Sequence, residues 1–280
     1  MKLHFLHKST ASHIQYSATE GKEFLKLWHY HPELEMVYIV QGRGTLYVGD
    51  FIGHFEQDNI FLLGSNLPHM FDSDVNQDTV SKSIVLHFNP TYLDKLGTNH
   101  QFDFLHYVTG ICERGMMIDR SQSKSFLPLF NELAKMHDME RNLQALRILF
   151  KVSQNKNYSK LGSTNWTENF IAHDNRLNKV LEYIMMHFKG VIDLETVADM
   201  AGMNKSSFCR YFKQKTNKTF VDYVNNVRIN YACRLLRDKG KKNSISLACF
   251  ESGFNSLSYF NRIFKKHLGC APSEYMGQEF

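Results

Sequence analysis

A chain of 280 residues is long enough for two domains, and at 43% hydrophobic and 22% charged it can bury ordinary globular cores. Five prolines, 13% aromatics and the lack of any low-complexity tract exclude wholesale disorder. No apolar run approaches the roughly 18 residues of a membrane span, and Lys2, His4, His7 and Lys8 break up any signal-peptide core.

The five cysteines, Cys112, Cys209, Cys233, Cys249 and Cys270, are an odd number without a CxxC pair. That is neither a disulfide framework nor a zinc knuckle, and the expected compartment is the cytoplasm, with no membrane partner. The charge is uneven. From residue 175 onward there are 17 Lys/Arg against 9 Asp/Glu, a net +8, while the rest carries 16 against 19, a net −3. A basic C-terminal part behind a mildly acidic N-terminal part points to a polyanion partner for one domain only.

In chain order, residues 24–88 read as strands. Short runs rich in Val, Ile, Tyr and Phe (36–40, 45–48, 60–63 and 83–88) are punctuated by Gly42, Gly44, Gly49, Gly53, Gly64 and Pro68. Such spacing predicts a small β-barrel or sandwich. Pro90 ends it.

Within this stretch His29-Tyr30-His31 precedes Glu35, Gly42 follows after six more residues, and His69 follows a Leu67-Pro68 step. Alternation puts His29, His31, Glu35, Val37 and Ile39 on one face, provided Pro32 does not shift the phase. Three histidines and a carboxylate suit a divalent first-row metal. Two other readings stand beside it: a metal-free small-molecule pocket, and histidines that only satisfy hydrogen bonds near strand ends. Trp28, Tyr30 and Tyr38 either stack on a sugar ring or are plain core. The spacing HxHxxxE-x6-G resembles the first cupin motif, and Gly64…Pro68-His69 loosely resembles the second.

From residue 92 to 154 the period becomes helical, with Phe126, Leu129, Phe130, Leu133 and Met136 and then Leu143, Leu146, Ile148, Leu149 and Val152. These helices connect the domains or form a dimer contact. Residues 155–174 read as a linker, leaving 1–90 as the barrel, 91–154 as connecting helices and 175–280 as a second, all-helical domain.

The strongest signal is an internal repeat in that last domain. Phe208-x-Arg210-x-Phe212-Lys213 with Tyr223 recurs as Phe260-x-Arg262-x-Phe264-Lys265 with Tyr275, every residue at an offset of 52. In the first unit Asp193 caps a short helix containing Leu194, Val197, Ala198 and Met200, Gly202 turns the chain, and Asn204 caps the next helix. In the second a helix over 245–252 is followed by Gly253, with Asn255 or Ser256 as cap. Ala198 and Cys249 are small where two helices of a helix-turn-helix must approach. Phe208/Phe212 and Phe260/Phe264 then point inward, and Arg210 and Arg262 outward. An outward arginine on a small, polar helix face can meet guanine O6 and N7 in the major groove, and Lys213 and Lys265 can meet phosphates. The periodic helix between the units (Phe220, Tyr223, Val224, Val227, Tyr231, Leu235, Leu236) should hold both rigidly.

With "GFNSLSYFNRIFKKHLGCAPSEY" (253–275) and "NNVRINYACRLLRD" (225–238), the segment 194–275 resembles the AraC/XylS regulators over their whole DNA-binding domain. The resemblance implies a sequence-specific transcription regulator that binds double-stranded promoter DNA through two helix-turn-helix units. Base-facing positions would be Ser206, Cys209 and Arg210 in the first, and Leu257, Ser258, Asn261 and Arg262 in the second. Leu257 departs from the usual polar residue, and Ser246-Leu247-Ala248-Cys249 from the usual alternation. The resemblance further implies a cupin-like sensor barrel for a small-molecule effector such as a sugar, with His29, His31, Glu35 and His69 as its pocket or metal ligands. A homodimer, and RNA polymerase for an activator, are the protein partners it implies. Two rivals are a metal-dependent cupin enzyme with a DNA-binding tail and an architectural protein without sequence preference.

Overall fold

The structure, a computed structural model, describes residues 4–6, 13–24, 26–74, 80–118, 120–163, 174–237 and 244–276. Its elements group into two compact units, one of His4–Gly49 with His54–Glu168, the other of the chain from Asn169 together with Asp50–Gly53.

The N-terminal unit is built on two sheets. In chain order the strands are β1 (His4–Phe5), β2 (Ile14–Gly21), β3 (His29–Tyr30), β4 (Leu34–Gln41), β5 (Gly44–Val48), β6 (Phe51–Phe55), β7 (Ile60–Leu63), β8 (His69–Ser73) and β9 (Ser81–Phe88). Helices α1 (Pro90–Gly97) and α2 (Phe104–Cys112) follow, then β10 (Met116–Ile118), α3 (Arg120–Ser123), α4 (Leu127–Leu133), α5 (Asp138–Gln154) and β11 (Tyr158–Lys160). One sheet runs β1-β3-β8-β5-β6, the other β11-β10-β7-β4-β9-β2.

The period-2 pattern of β4 and β9 sorts side chains onto two faces. Leu34, Met36 and Tyr38, with Ile84, Leu86 and Phe88, pack against Leu105, Val108, Phe130, Ile148 and Leu149 of the helices. Burying each such large apolar side chain contributes about 1.5–3 kcal/mol. Glu35, Val37 and Ile39, with Ser83, Val85 and His87, line the opposite face. Both faces of β4 are therefore buried, which is why it reads as a nearly continuous apolar run.

Four strands lie outside the sequence expectation: β1, ahead of the stretch read as strands, β10, inside the stretch read as helical, and β2 and β11. β2 precedes the stretch read as strands; after Ile14 it is largely exposed, so it shows no apolar alternation, and it forms by pairing antiparallel with β9 at the sheet edge. Within the stretch read as a linker, β11 pairs antiparallel with β10, Met116 opposite Lys160. Residues 164–173 of that stretch fall outside the described residues.

The C-terminal unit is helical: α6 (Asn175–His187), α7 (Leu194–Met200), α8 (Lys205–Thr216), α9 (Phe220–Arg237), α10 (Ile245–Glu251), α11 (Leu257–Leu268) and α12 (Pro272–Met276). Helices α7/α8 and α10/α11 are the two helix-turn-helix pairs. Asp193, Asn204, Ser244 and Ser256 cap them, their side-chain oxygens accepting from the N–H of Thr196, Ser207, Leu247 and Tyr259 at 3.1, 2.9, 3.1 and 3.3 Å. Each such cap is worth about 1 kcal/mol. Gly202 (φ +66°) and Gly253 (φ +88°) make the turns in left-handed geometry. The bonds Met203 N–H to Ala198 O (2.9 Å) and Phe254 N–H to Cys249 O (3.2 Å) close both as Schellman motifs.

The turns are not identical. Met203 alone separates Gly202 from the cap Asn204, whereas Phe254 and Asn255 separate Gly253 from the cap Ser256. The extra residue makes room for Phe254, which is buried against Phe260. It also explains why the motifs of α8 and α11 repeat at 52 while the turn glycines do not.

Candidate nucleic-acid interface and buried histidine cluster

Helix α8 buries Phe208, Phe212 and Thr216 and α11 buries Phe260, Ile263 and Phe264. Each helix presents its remaining side outward. On α8 the exposed residues include Ser206, Cys209, Arg210 and Lys213; on α11 they include Leu257, Ser258, Asn261, Arg262 and Lys265. Every residue expected to meet DNA is thus on an exposed face of one of the two second helices. No acidic residue belongs to either helix.

Packing holds the two helices at a defined orientation through α9, which buries Tyr223, Val227, Ile229 and Ala232 among others. Phe212 stacks edge-on against Tyr223 of α9, and Phe264 repeats the contact with Tyr275 of α12, both with ring centroids 5.5 Å apart. Asn225 of α9 donates to the Tyr259 hydroxyl of α11 at 2.8 Å, and Lys266 pairs with Asp222 at 3.1 Å. Arg228 donates to the carbonyls of Phe188 and Gly190 at 2.7 Å each, so it caps the C-terminal end of α6. Sequence reading missed these polar ties, because nothing in the 52-residue repeat marks them. Arg262 lies over the Tyr259 ring at 5.2 Å, which restricts its rotamers before any ligand arrives.

The second cluster lies in the N-terminal unit. His29 and His69 are cross-strand partners on β3 and β8, in one sheet. Glu35 has His87 as its cross-strand partner on β9, in the other sheet. His31, in the short link between β3 and β4, completes the set. All five are buried. Ligand atoms of His29, His31, Glu35 and His69 lie within 4.8 Å of one another. The sequence offered these four, His29, His31 and Glu35 by phase and His69 by its place after Leu67-Pro68; His87 was missed because its approach to Glu35 depends on the β4–β9 register.

The hydrogen bonds determine where the protons are. Nδ1 of His29 and of His69 donates to the backbone carbonyls of Leu27 and Leu67, both at 2.7 Å. A carbonyl oxygen can only accept, so in the neutral rings Nε2 carries a lone pair. His31 differs: Nδ1 donates to the Glu33 carbonyl at 3.2 Å and Nε2 to Glu35 Oε2 at 2.6 Å, so both nitrogens carry protons.

The acid–base balance follows. Burial, reinforced by neighbouring His69, lowers the pKa of His29 to about 3. Burial opposes the charge on His31 too, but its bonds to Glu33 and Glu35 outweigh that and raise it to about 9. Burial would raise the Glu35 carboxyl, yet the histidines around it, His69 foremost, hold it well below its ordinary value. Glu35 and His31 therefore form a buried ion pair.

That pair leaves two nitrogens unserved. Nε2 of His69 and of His87 lie 3.2 and 3.3 Å from Glu35 Oε2, yet neither makes a hydrogen bond. Leaving a buried polar atom unsatisfied costs about 1–3 kcal/mol. His69, with Nδ1 anchored on the Leu67 carbonyl and an unsatisfied Nε2 turned to a carboxylate, is arranged as metal ligands usually are. The donor set fits a divalent first-row cation.

A cavity of about 150 Å³ opens beside the cluster. His29, Glu35 and His87 form one part of its wall, Val37, Ile39 and Val85 another, and Phe24 and Phe71 supply its aromatic surface. Trp28, Tyr30 and Tyr38 are core side chains instead; Tyr38 stacks on Phe130 at 4.9 Å. Among the described residues no helix is long and apolar enough to cross a membrane.

Comparison with known proteins places these observations. A family model described as a helix-turn-helix domain matches residues 197–278. YdeC, an HTH-type transcriptional regulator of Bacillus subtilis, is 23% identical over 252 residues, covering 88% of this chain and 84% of YdeC. RhaS, an HTH-type transcriptional activator of an Enterobacter strain, is 29% identical over 102 residues, 36% of each chain. The crystal structure of the DNA-binding domain of AdpA in complex with a target DNA is 27% identical, covers 36% of this chain and 89% of that one, and has a TM-score of 0.34. Both YdeC and RhaS are named as transcription regulators.

Proposed function

We propose that this chain is a helix-turn-helix transcription regulator of the AraC/XylS type, similar to the relatives named above, and that α8 and α11 read two adjacent major-groove segments of promoter DNA. The observation that carries this is the pair of capped second helices, each exposing an arginine midway between two buried phenylalanines. Arg210 and Arg262 read bases, with Ser206, Cys209, Leu257, Ser258 and Asn261 shaping the choice. Lys213 and Lys265 contact phosphates. Leu257, half-exposed and apolar, favours a thymine methyl.

The test is selection of a randomised duplex pool on the full-length protein at near-physiological salt. A bipartite motif with its halves about one helical turn (~34 Å) apart is expected. Salt-sensitive binding to every duplex without enrichment would make the protein an architectural binder instead.

In this reading the N-terminal unit is the sensor, and the cavity beside His29, Glu35 and His87 receives a small effector. A second reading of the cluster is favoured by the unsatisfied Nε2 of His69 and the convergence of the four side chains: His29, His31, Glu35 and His69 hold a divalent first-row cation. Such an ion supplies a fixed positive charge facing Glu35 and displaces the extra proton of His31. Metal analysis of the purified protein, before and after chelation, tests it. A metal-free protein that takes up no Zn²⁺ or Co²⁺ leaves the metal-free pocket standing.

Helix α5 supplies a dimer contact. Met139, Leu143 and Phe150, exposed at 72%, 62% and 49%, fall with Leu146 on one stripe of it. Asp138 and Glu140 lie at one end of the helix and Arg147 and Lys151 toward the other, so two copies paired antiparallel match opposite charges.

A further inference from the structure

We propose that His87 is a fourth histidine donor of the barrel's cation centre, so that the centre draws four nitrogens and one carboxylate from two facing sheets. This rests on the reading that the cluster binds a divalent cation, and it extends that site to a residue the HxHxxxE spacing does not include.

Three observations place His87 there. It is the direct cross-strand partner of Glu35, as His29 is of His69, so each sheet contributes one facing pair to the same point. Its Nε2 lies 3.3 Å from Glu35 Oε2, the same oxygen that accepts from His31 at 2.6 Å and faces His69 Nε2 at 3.2 Å. That nitrogen is buried and makes no hydrogen bond.

A core histidine without a ligand role normally finds a donor or acceptor for each ring nitrogen. His87 turns its buried nitrogen toward an oxygen already shared by two other histidines, an arrangement that a single cation between them satisfies at once. His87 stands at the rim of the four-residue set, in contact with His31 at a ring-centroid distance of 5.1 Å. It also shares the cavity wall with His29 and Glu35. An ion held by these five donors would lie beside the cavity, where a small ligand could reach it.

The inference is tested on the full-length protein loaded with Co²⁺. X-ray absorption on the wild type should count four imidazoles. His87→Ala and His87→Gln should weaken Co²⁺ binding by at least about tenfold. Both should also intensify the visible d–d bands, as expected when the coordination number falls. Three imidazoles in the wild type, or variants with wild-type affinity and spectrum, would return His87 to the status of a wall residue while leaving the four-residue centre intact. No Co²⁺ uptake by the wild type would instead overturn the cation reading itself, and this inference with it. If neither variant folds, the imidazole count on the wild type decides alone.

Discussion

Arg210 and Arg262 occupy corresponding places in a repeat, and their surroundings differ in one respect. Arg262 is laid over Tyr259, an intermediate-exposure ring that also accepts from Asn225. A guanidinium held this way loses less freedom on meeting a base than a free one. Replacing either arginine with alanine should cost about 1–3 kcal/mol at particular base pairs and relax specificity there. Lys213→Ala or Lys265→Ala should weaken binding evenly over all sequences and reduce the salt slope by about one. Binding isotherms on the selected site and its single-base variants, at several salt concentrations, separate the two. An even loss for the arginines would reassign them to phosphate.

The helix-turn-helix turns show how one element, used twice, carries different tolerances. An added Cβ at Gly202 meets nothing within 4 Å, so Gly202→Ala bears only the left-handed backbone penalty of about 1–2 kcal/mol. At Gly253 the same Cβ would stand 2.4 Å from the Phe188 carbonyl oxygen and 2.9 Å from Lys189. Those are backbone atoms at the end of α6, and Arg228 pins that carbonyl. Gly253→Ala should therefore destabilise the C-terminal unit clearly more than Gly202→Ala, read as the larger drop in unfolding midpoint. Equal drops would mean that the end of α6 yields freely.

For the molecule as a whole, the proposed dimer contact on α5 and the proposed DNA reading by α8 and α11 make linked predictions. If the exposed stripe pairs two copies, Leu143→Glu should leave the protein folded but shift its sedimentation to the monomer. Avidity from two linked readers would go with it, weakening binding to a paired operator far more than to a single site. A wild type that sediments as a monomer at operator-binding concentrations would remove α5 from the interface.

The sequence by itself determined the elements whose signals are local. Apart from the choice of Ser256 over Asn255 as cap, which needed the structure, the duplicated Phe-x-Arg-x-Phe-Lys units, their Asp193 and Asn204 caps and their turn glycines depend on neighbours within about one helical turn. Position in the chain therefore fixes which side is buried. Alternation likewise put Glu35, Val37 and Ile39 on one face of β4, since period 2 is a property of the strand alone. His29, however, lies on β3 of the other sheet and His31 in the link between them, so those two meet Glu35 only in the fold. Tertiary structure decided the rest. β2 is too polar to announce itself and exists because β9 offers it a ladder; β11 exists because of β10. His87 reaches Glu35 only through the register of two strands some fifty residues apart, and Asn225, Asp222 and Arg228 acquire partners only when α9 is packed. A long-range pairing leaves no periodic trace in either partner, so the sequence offered four candidate residues where the fold brings five together.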